Sequence, residues 1–187
     1  MRRSALAAAG AAAAGGAAAS LVSLASARSA PALSARDREV LRFALLLERM
    51  QSALYDQALR AGRLSGEPHQ FARVVGGQEQ AHVRYLDELL GTHGAGTPRF
   101  DFGDAIHAND RFVALAITLE GTAVAAYNGE AENVSRVTLR SLARVMSVES
   151  RHVAWARAIA GKLPAPVAVD RSISAAAAMK AIRPFMA

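Results

Sequence analysis

Glu79-Gln80-Ala81-His82 and Glu149-Ser150-Arg151-His152 are the two stretches that decide how this chain is read. Each is a Glu-x-x-His step, and the two stand 70 residues apart. A lone Glu closes an earlier apolar run before each step. Phe43-Ala44-Leu45-Leu46-Leu47-Glu48 precedes the first, and Leu115-Ala116-Ile117-Thr118-Leu119-Glu120 precedes the second. Residues i and i+3 of a helix share a face, so the Glu and His of one step can serve the same point in space.

Placement carries more weight than spacing. The apolar stripe around the first step reads Phe71, Val75, Glu79, His82, Leu86, Leu89, and that around the second reads Leu142, Val145, Glu149, His152, Ala156, Ile159. Glu48 lies on the stripe Val40, Ala44, Leu47, Gln51, Leu54, Tyr55, and Glu120 on Val113, Ala116, Ala123, Tyr127. Each of these polar residues therefore sits on a face expected to be buried. Carboxylates are almost never buried without a partner. Four of them close together repel unless protons or cations neutralise them. Two divalent ions balance four Glu, with neutral His completing the set. Four Glu and two His on four helices form the ligand set of a dimetal carboxylate site within a four-helix bundle. Glu48, Glu79, His82, Glu120, Glu149 and His152 are the candidate ligands. Carboxylate oxygen with imidazole suits iron first and manganese next, with zinc also compatible.

The rest of the chain agrees with an all-α fold. It is 52% hydrophobic and 5% aromatic, with Ala and Leu supplying most of the apolar content. Both residues favour helix. The first helix is expected over 35–61, with Ser34 and Asp37 as a capping box and Gly62 as its stop. The second starts near Pro68 and ends at Gly91. A long connection then runs from Gly91 to Asn109, with Pro98 and four glycines, as a crossover along the bundle. Phe100 and Phe102 are expected to pin it. The third helix is expected from Asp110 to about Tyr127, where Asn128-Gly129 breaks it. The fourth spans about Val137 to Ala160, before Gly161. Leu163-Pro164-Ala165-Pro166 reads as a spacer, and Ser174 to Ile182 as a short fifth helix. The bundle thus occupies 34–161, and 162–187 forms the spacer and short C-terminal helix.

An internal repeat relates the two halves. Glu48 and Tyr55 align with Glu120 and Tyr127 at an offset of 72, and Val75, Glu79, His82, Val83 align with Val145, Glu149, His152, Val153 at an offset of 70. The chain reads as two related helical hairpins, each supplying half of one site. Tyr55 and Tyr127 are the candidate catalytic residues. They can hydrogen-bond a metal ligand or take part in one-electron chemistry, and ordinary core tyrosine is the alternative for each. His69, His93 and His107 fall at a helix start or in the long loop and read as solvated. Trp155 reads as core. Gly76 and Gly77 weaken the second helix just before Glu79, for close helix approach or a local bulge.

Residues 1–27 read as a secretory leader. Arg2-Arg3 precede an uncharged Ala-rich stretch from Ala5 to Leu24, and Ala25-Ser26-Ala27 offers a small-x-small cleavage site. The Arg pair and weakly hydrophobic stretch resemble a twin-arginine signal, although Ser4 and Ala5 depart from the fuller consensus. The expected location is periplasmic or extracellular, with membrane attachment only if the leader stays uncleaved. No second transmembrane stretch is expected. The chain has 22 Lys and Arg against 16 Asp and Glu, and Lys162 and Lys180 are its lysines. Its charges are mixed rather than striped, which argues against nucleic-acid binding. The absence of Cys excludes disulfides, iron–sulfur clusters and thiol catalysis.

The chain resembles the ferritin-like superfamily, most closely the exported ferritin-like domain proteins related to plant desiccation-related proteins. The resemblance covers about Ser34 to Gly161. Its carriers are Leu47-Glu48 with Tyr55, Glu79-x-x-His82, Phe100-Asp101-Phe102-Gly103, Leu119-Glu120 with Ala126-Tyr127, and Glu149-x-x-His152. It implies a four-helix bundle with a long crossover between helices two and three. It also implies that the six Glu and His match dimetal ligand positions, and that Tyr55 matches the tyrosine seven residues after the first ligand in ferritins. The leader and the Pro-rich C-terminal spacer depart from ordinary ferritins, and without Cys there is no rubredoxin module. Three functions share this ligand set: oxidation of Fe(II) or consumption of peroxide at a di-iron centre, catalase-like disproportionation at two manganese ions, and a stress-associated structural bundle held together by its metal. Metal ions with oxygen or peroxide are the expected partners, and homodimerisation is left open.

Overall fold

Five α-helices carry the chain in the computed structural model, which describes residues 33–92, 96 and 98–187. The expected leader and His93 lie outside the described residues. Helix α1 is Ala35–Ala61, α2 Gly66–Leu90, α3 Asn109–Glu130, α4 Arg136–Ile159 and α5 Ala175–Ile182. Short 3₁₀ turns occupy Gly103–His107, Ala131–Asn133 and Arg183–Phe185. Among the described residues the one β-type pairing is an isolated bridge between Phe100 and Met186. The fold is an all-α bundle, as the apolar stripes require.

Local chemistry sets the helix ends. Ser34 and Asp37 form the reciprocal capping box of α1. Gly62, Gly91 and Gly161 take φ of 63°, 66° and 68° where α1, α2 and α4 stop, a left-handed geometry that costs glycine nothing. Asp37 has a second task. Its Oδ1 accepts the backbone N–H of Ser135 at 2.9 Å, and Ser135 is the N-cap of α4. One buried carboxylate thus ties the starts of α1 and α4 together, and these hydrogen bonds hold it well below the usual Asp range although burial alone would raise it. Nearby, Arg36 reaches the buried Glu130 at 2.9 Å.

Helices α1 and α2 make one hairpin, α3 and α4 the other. Short connections at Gly62–Ser65 and Ala131–Ser135 force each pair antiparallel. The long connection joins the hairpins as a crossover. Phe100 and Phe102 are buried and stacked at 6.3 Å, and Gln57 holds the Phe100 carbonyl at 3.0 Å. The C-terminus completes this corner. Phe185 lies 5.9 Å from Phe102, Asp101 N–H donates to the Phe185 carbonyl, and Ala187 N–H donates to Arg99.

At one end of the core, Tyr55, Phe71, Phe112 and Trp155 pack edge to face at 5.2–6.3 Å, drawn from all four long helices. Such pairs add about 0.5–1.5 kcal/mol each beyond area burial. Trp155 is half-buried, and its indole N–H donates to Glu67 at 2.9 Å.

One expectation fails. Asn128-Gly129 does not break α3, which continues to Glu130. The pair is instead where the C-terminal tail docks: Ile173 N–H donates to the Ala125 carbonyl at 3.0 Å, and Asn128 donates to the Arg171 carbonyl. A Cβ on Gly129 would lie 1.9 Å from the Ile173 carbonyl oxygen, so the glycine makes room for a crossing strand of chain. Helix α3 is also long and apolar enough to cross a membrane, by length and composition only. Two-thirds of that window is buried inside the bundle, which accounts for its apolarity.

Candidate metal centre

The six expected ligands converge at mid-bundle. Glu48 comes from α1, Glu79 and His82 from α2, Glu120 from α3, Glu149 and His152 from α4. All four carboxylates are completely buried, His152 nearly so, and the His82 side chain keeps 11% of its surface. They form two overlapping sets, Glu48, Glu79, His82, Glu149 and Glu79, Glu120, Glu149, His152, with ligand atoms of each set all within 4.8 Å of one another. Glu79 and Glu149 belong to both.

The two imidazoles face each other at 6.0 Å between centroids. His82 Nδ1 lies 3.1 Å from Glu48 Oε2, 3.0 Å from Glu149 Oε1 and 3.5 Å from Glu79 Oε2. His152 Nδ1 lies 2.9 Å from Glu79 Oε1, 3.4 Å from Glu120 Oε2 and 3.6 Å from Glu149 Oε1. Despite this proximity, both oxygens of Glu79, Glu149 Oε1 and His152 Nδ1 make no hydrogen bond. A buried polar atom without a partner costs about 1–3 kcal/mol, and more when charged. Four such atoms in one place fit a pair of divalent ions, whose ligands they would become.

Electrostatics point the same way. Burial, then the charges of Glu149, Glu120 and Glu48, push the Glu79 carboxyl well above the usual range. Burial and Glu149 push Glu120 up to about 8. Burial would raise Glu149 too, yet the adjacent imidazoles of His152 and His82 hold it below the carboxylate range. Burial would lower both histidines, but the surrounding carboxylates outweigh it and push each up to about 12. Without metal, protons do the neutralising that cations would do.

The tyrosines cross between hairpins. The Tyr55 hydroxyl on α1 donates to Glu120 Oε1 on α3, and the Tyr127 hydroxyl on α3 donates to Glu48 Oε1 on α1. Burial, then the neighbouring carboxylates, raise both phenols above the ordinary tyrosine value, so they stay protonated donors. Gly76 explains how Tyr55 fits. A Cβ there would stand 2.9 Å from Tyr55 Cβ, so α2 approaches α1 closely at this glycine, whereas a Cβ on Gly77 would meet nothing.

Two residues at the site were not read from sequence. Gln51, fully buried, donates from Nε2 to Glu120 Oε2 at 2.9 Å and Glu149 Oε2 at 3.0 Å. Its polar side chain on an apolar stripe, three residues after Glu48, was the available signal. Gln78 Oε1 lies 2.6 Å from His152 Nε2. It sits on the exposed side of α2 beside Glu79, and no pattern marks it. His69 and His107 are exposed, away from the centre.

No curated protein matches the chain significantly. A family model described as ferritin-like domain matches residues 36–162, which takes in all four long helices and all six clustered Glu and His residues. That match covers more than half of the chain, and it joins a helical bundle with buried carboxylate and imidazole groups at its centre: the chain belongs to the ferritin-like domain family.

Proposed function

We propose that this is an exported ferritin-like protein that binds two divalent ions between its hairpins, iron foremost with manganese as the alternative, and uses them to oxidise Fe(II) or consume peroxide. The observation that carries this reading is the pair of overlapping ligand sets sharing Glu79 and Glu149. Glu48 and His82 would hold one ion, Glu120 and His152 the other, and the two shared carboxylates would span both. Such a pair, when bound, supplies Lewis acidity and electron transfer at adjacent positions.

The chain's own groups prepare the site for that chemistry. The tyrosine hydroxyls fix one oxygen of Glu48 and one of Glu120, which leaves the other oxygen of each turned towards the histidines. Each phenol thus has its proton held at a defined carboxyl oxygen, Tyr55 at Glu120 and Tyr127 at Glu48. Apolar neighbours on the same stripes, among them Leu47, Val75, Ala116 and Val145, are buried and exclude bulk water. Export rests on the leader pattern of residues 1–27 and on the likeness to exported ferritin-like proteins.

The test is metal analysis of protein purified from its native host without added metal. Expected are a chain beginning near Arg28 and about two ions per chain. Iron with rapid Fe(II) oxidation in air, lost in Glu48→Ala and His152→Ala, supports the reading. Manganese with oxygen evolution from peroxide would move it to the catalase-like alternative. Unchanged metal content after Glu79→Ala with Glu149→Ala would rule the site out.

A further inference from the structure

The six ligands follow the internal repeat, but their surroundings do not. In the repeat, Gln51 corresponds to Ala123, and Gln78 to Val148. Gln78 dresses the Glu120–His152 half alone, and Gln51 dresses Glu120 of that half together with the shared Glu149. Gln51 spans Glu120 and Glu149 with its two N–H groups, and Gln78 accepts from His152 Nε2. The equivalent positions beside Glu48 and His82 carry methyl and isopropyl groups, which have nothing to donate or accept. The tyrosine bonds do not discriminate, because each half has one.

Each amide acts on ligand strength. The Gln78 carbonyl accepts the Nε2 proton of His152, which fixes the ring and makes Nδ1, the atom facing the carboxylates, the one that would give up its proton to an ion. A hydrogen bond on the outer nitrogen also makes the inner one a stronger base. Gln51 locks the rotamers of Glu120 and Glu149 before any ion arrives, so less freedom is lost on ligation. A carboxylate oxygen has a second lone pair, so the bond from Gln51 leaves it able to coordinate. Among the described residues His82 Nε2 has no hydrogen-bond partner, and its ring is the one open to water, with 11% of the side chain exposed against 3% for His152.

We infer that the two ion positions are unequal: the Glu120–His152 position, braced by Gln51 and Gln78, holds its ion tightly, and the Glu48–His82 position is the exchangeable one through which substrate ion or oxidant meets the centre. The inference rests on the dimetal reading above. Gln51 and Gln78 are positioning residues in it, acting through the ligands they hold.

Anaerobic titration of the metal-free chain with Mn(II), followed by calorimetry and electron paramagnetic resonance, tests it. Two binding steps differing by at least about tenfold are expected, with an isolated Mn(II) spectrum at one equivalent and a spin-coupled spectrum at two. Gln78→Ala should weaken the tighter step by about 10- to 100-fold and leave the weaker one in place. Gln78→Glu, which keeps an acceptor opposite Nε2, should restore it. His82→Ala should abolish the weaker step alone. Circular dichroism confirms that each variant is folded, and a Gln51→Leu variant serves if Gln78→Ala is not. Two equal steps in the unmodified chain, or loss of the tighter step in His82→Ala, would overturn the inequality while leaving the dimetal reading intact. A chain that binds no Mn(II) at all would remove both.

Discussion

Tyr55 donates its hydroxyl to Glu120, a ligand candidate supplied by the other hairpin, and Tyr127 returns the same bond to Glu48. Each hairpin's phenol reaches the other hairpin's first carboxylate. Each terminal Glu is held by a phenol 65 or 79 residues away in the chain.

Removing one phenol therefore loosens a ligand without deleting it. Tyr55→Phe and Tyr127→Phe should each lower stability by about 1.5–3 kcal/mol, the range for a hydrogen bond to a charged group. Bound metal should remain at wild-type stoichiometry, while Fe(II) oxidation slows. Denaturant melts and metal analysis on the same samples check this. Loss of metal in either variant would show the tyrosine to be a ligand rather than a brace.

Stability without metal should depend on pH in a defined direction. Glu79 and Glu120 bind their protons more tightly folded than unfolded, Glu120 up to about 8, and both histidines are raised to about 12. The unfolded values are about 4.3 for Glu and 6.5 for His. A raised group contributes fully below its unfolded value and loses that contribution as pH climbs towards the folded one. The metal-free protein should thus lose stability from about pH 4.3 to about 12, through the carboxyls first and through the histidines from about 6.5 upward, and the depressed Glu149 acts only on the acid side of that window. Metal displaces these protons, so the rise in Tm on adding Mn(II) should be larger at pH 8 than at pH 5.5. Equal rises at both would contradict the proton inventory.

The adjacent glycines Gly76 and Gly77 should respond oppositely to alanine. At Gly76 the new methyl meets Tyr55 Cβ at 2.9 Å, an atom too near the backbone to swing aside. Gly76→Ala should cost about 1–3 kcal/mol and disturb the bond from Tyr55 to Glu120. At Gly77 the methyl meets nothing. Gly77→Ala should stabilise by about 0.5–1 kcal/mol, the ordinary helix preference. Thermal melts of the two variants decide it.

Much of the fold and the ligand set could be read from the chain because the signals are local or periodic. The capping box at Ser34 and Asp37, the stop glycines and the stripes carrying Glu79 and Glu149 all belong to that class. What escaped depends on segments meeting across the molecule. Asn128-Gly129 is a turn signal in isolation, but the tail at Ile173 supplies contacts that reward a continuous helix. Gln78 looks like a surface residue until α4 brings His152 against it. Asp37 reads as a cap for α1, and its bond to Ser135 appears only once α4 lies alongside.

The tail contact gives a further prediction. In Gly129→Ala the added methyl cannot coexist with the Ile173 carbonyl, while α3 itself gains a better helix former. The tail from about Leu163 to Ile173 should detach and become open to proteolysis. Circular dichroism should change little. Cleavage confined to that segment is the expected pattern, and unaltered resistance would show that the strap accommodates the methyl.

The reciprocal tyrosine bonds are those of a twofold dimer, in which residue i of one subunit touches residue j of its mate and j touches i. Here both subunits lie in one polypeptide, spliced by the crossover. Identical subunits must be equal at every position, so a symmetric pair could never have favoured one ion over its neighbour. Within one chain the halves are free to differ, as Gln51 does from Ala123, Gln78 from Val148 and Gly76 from Met146.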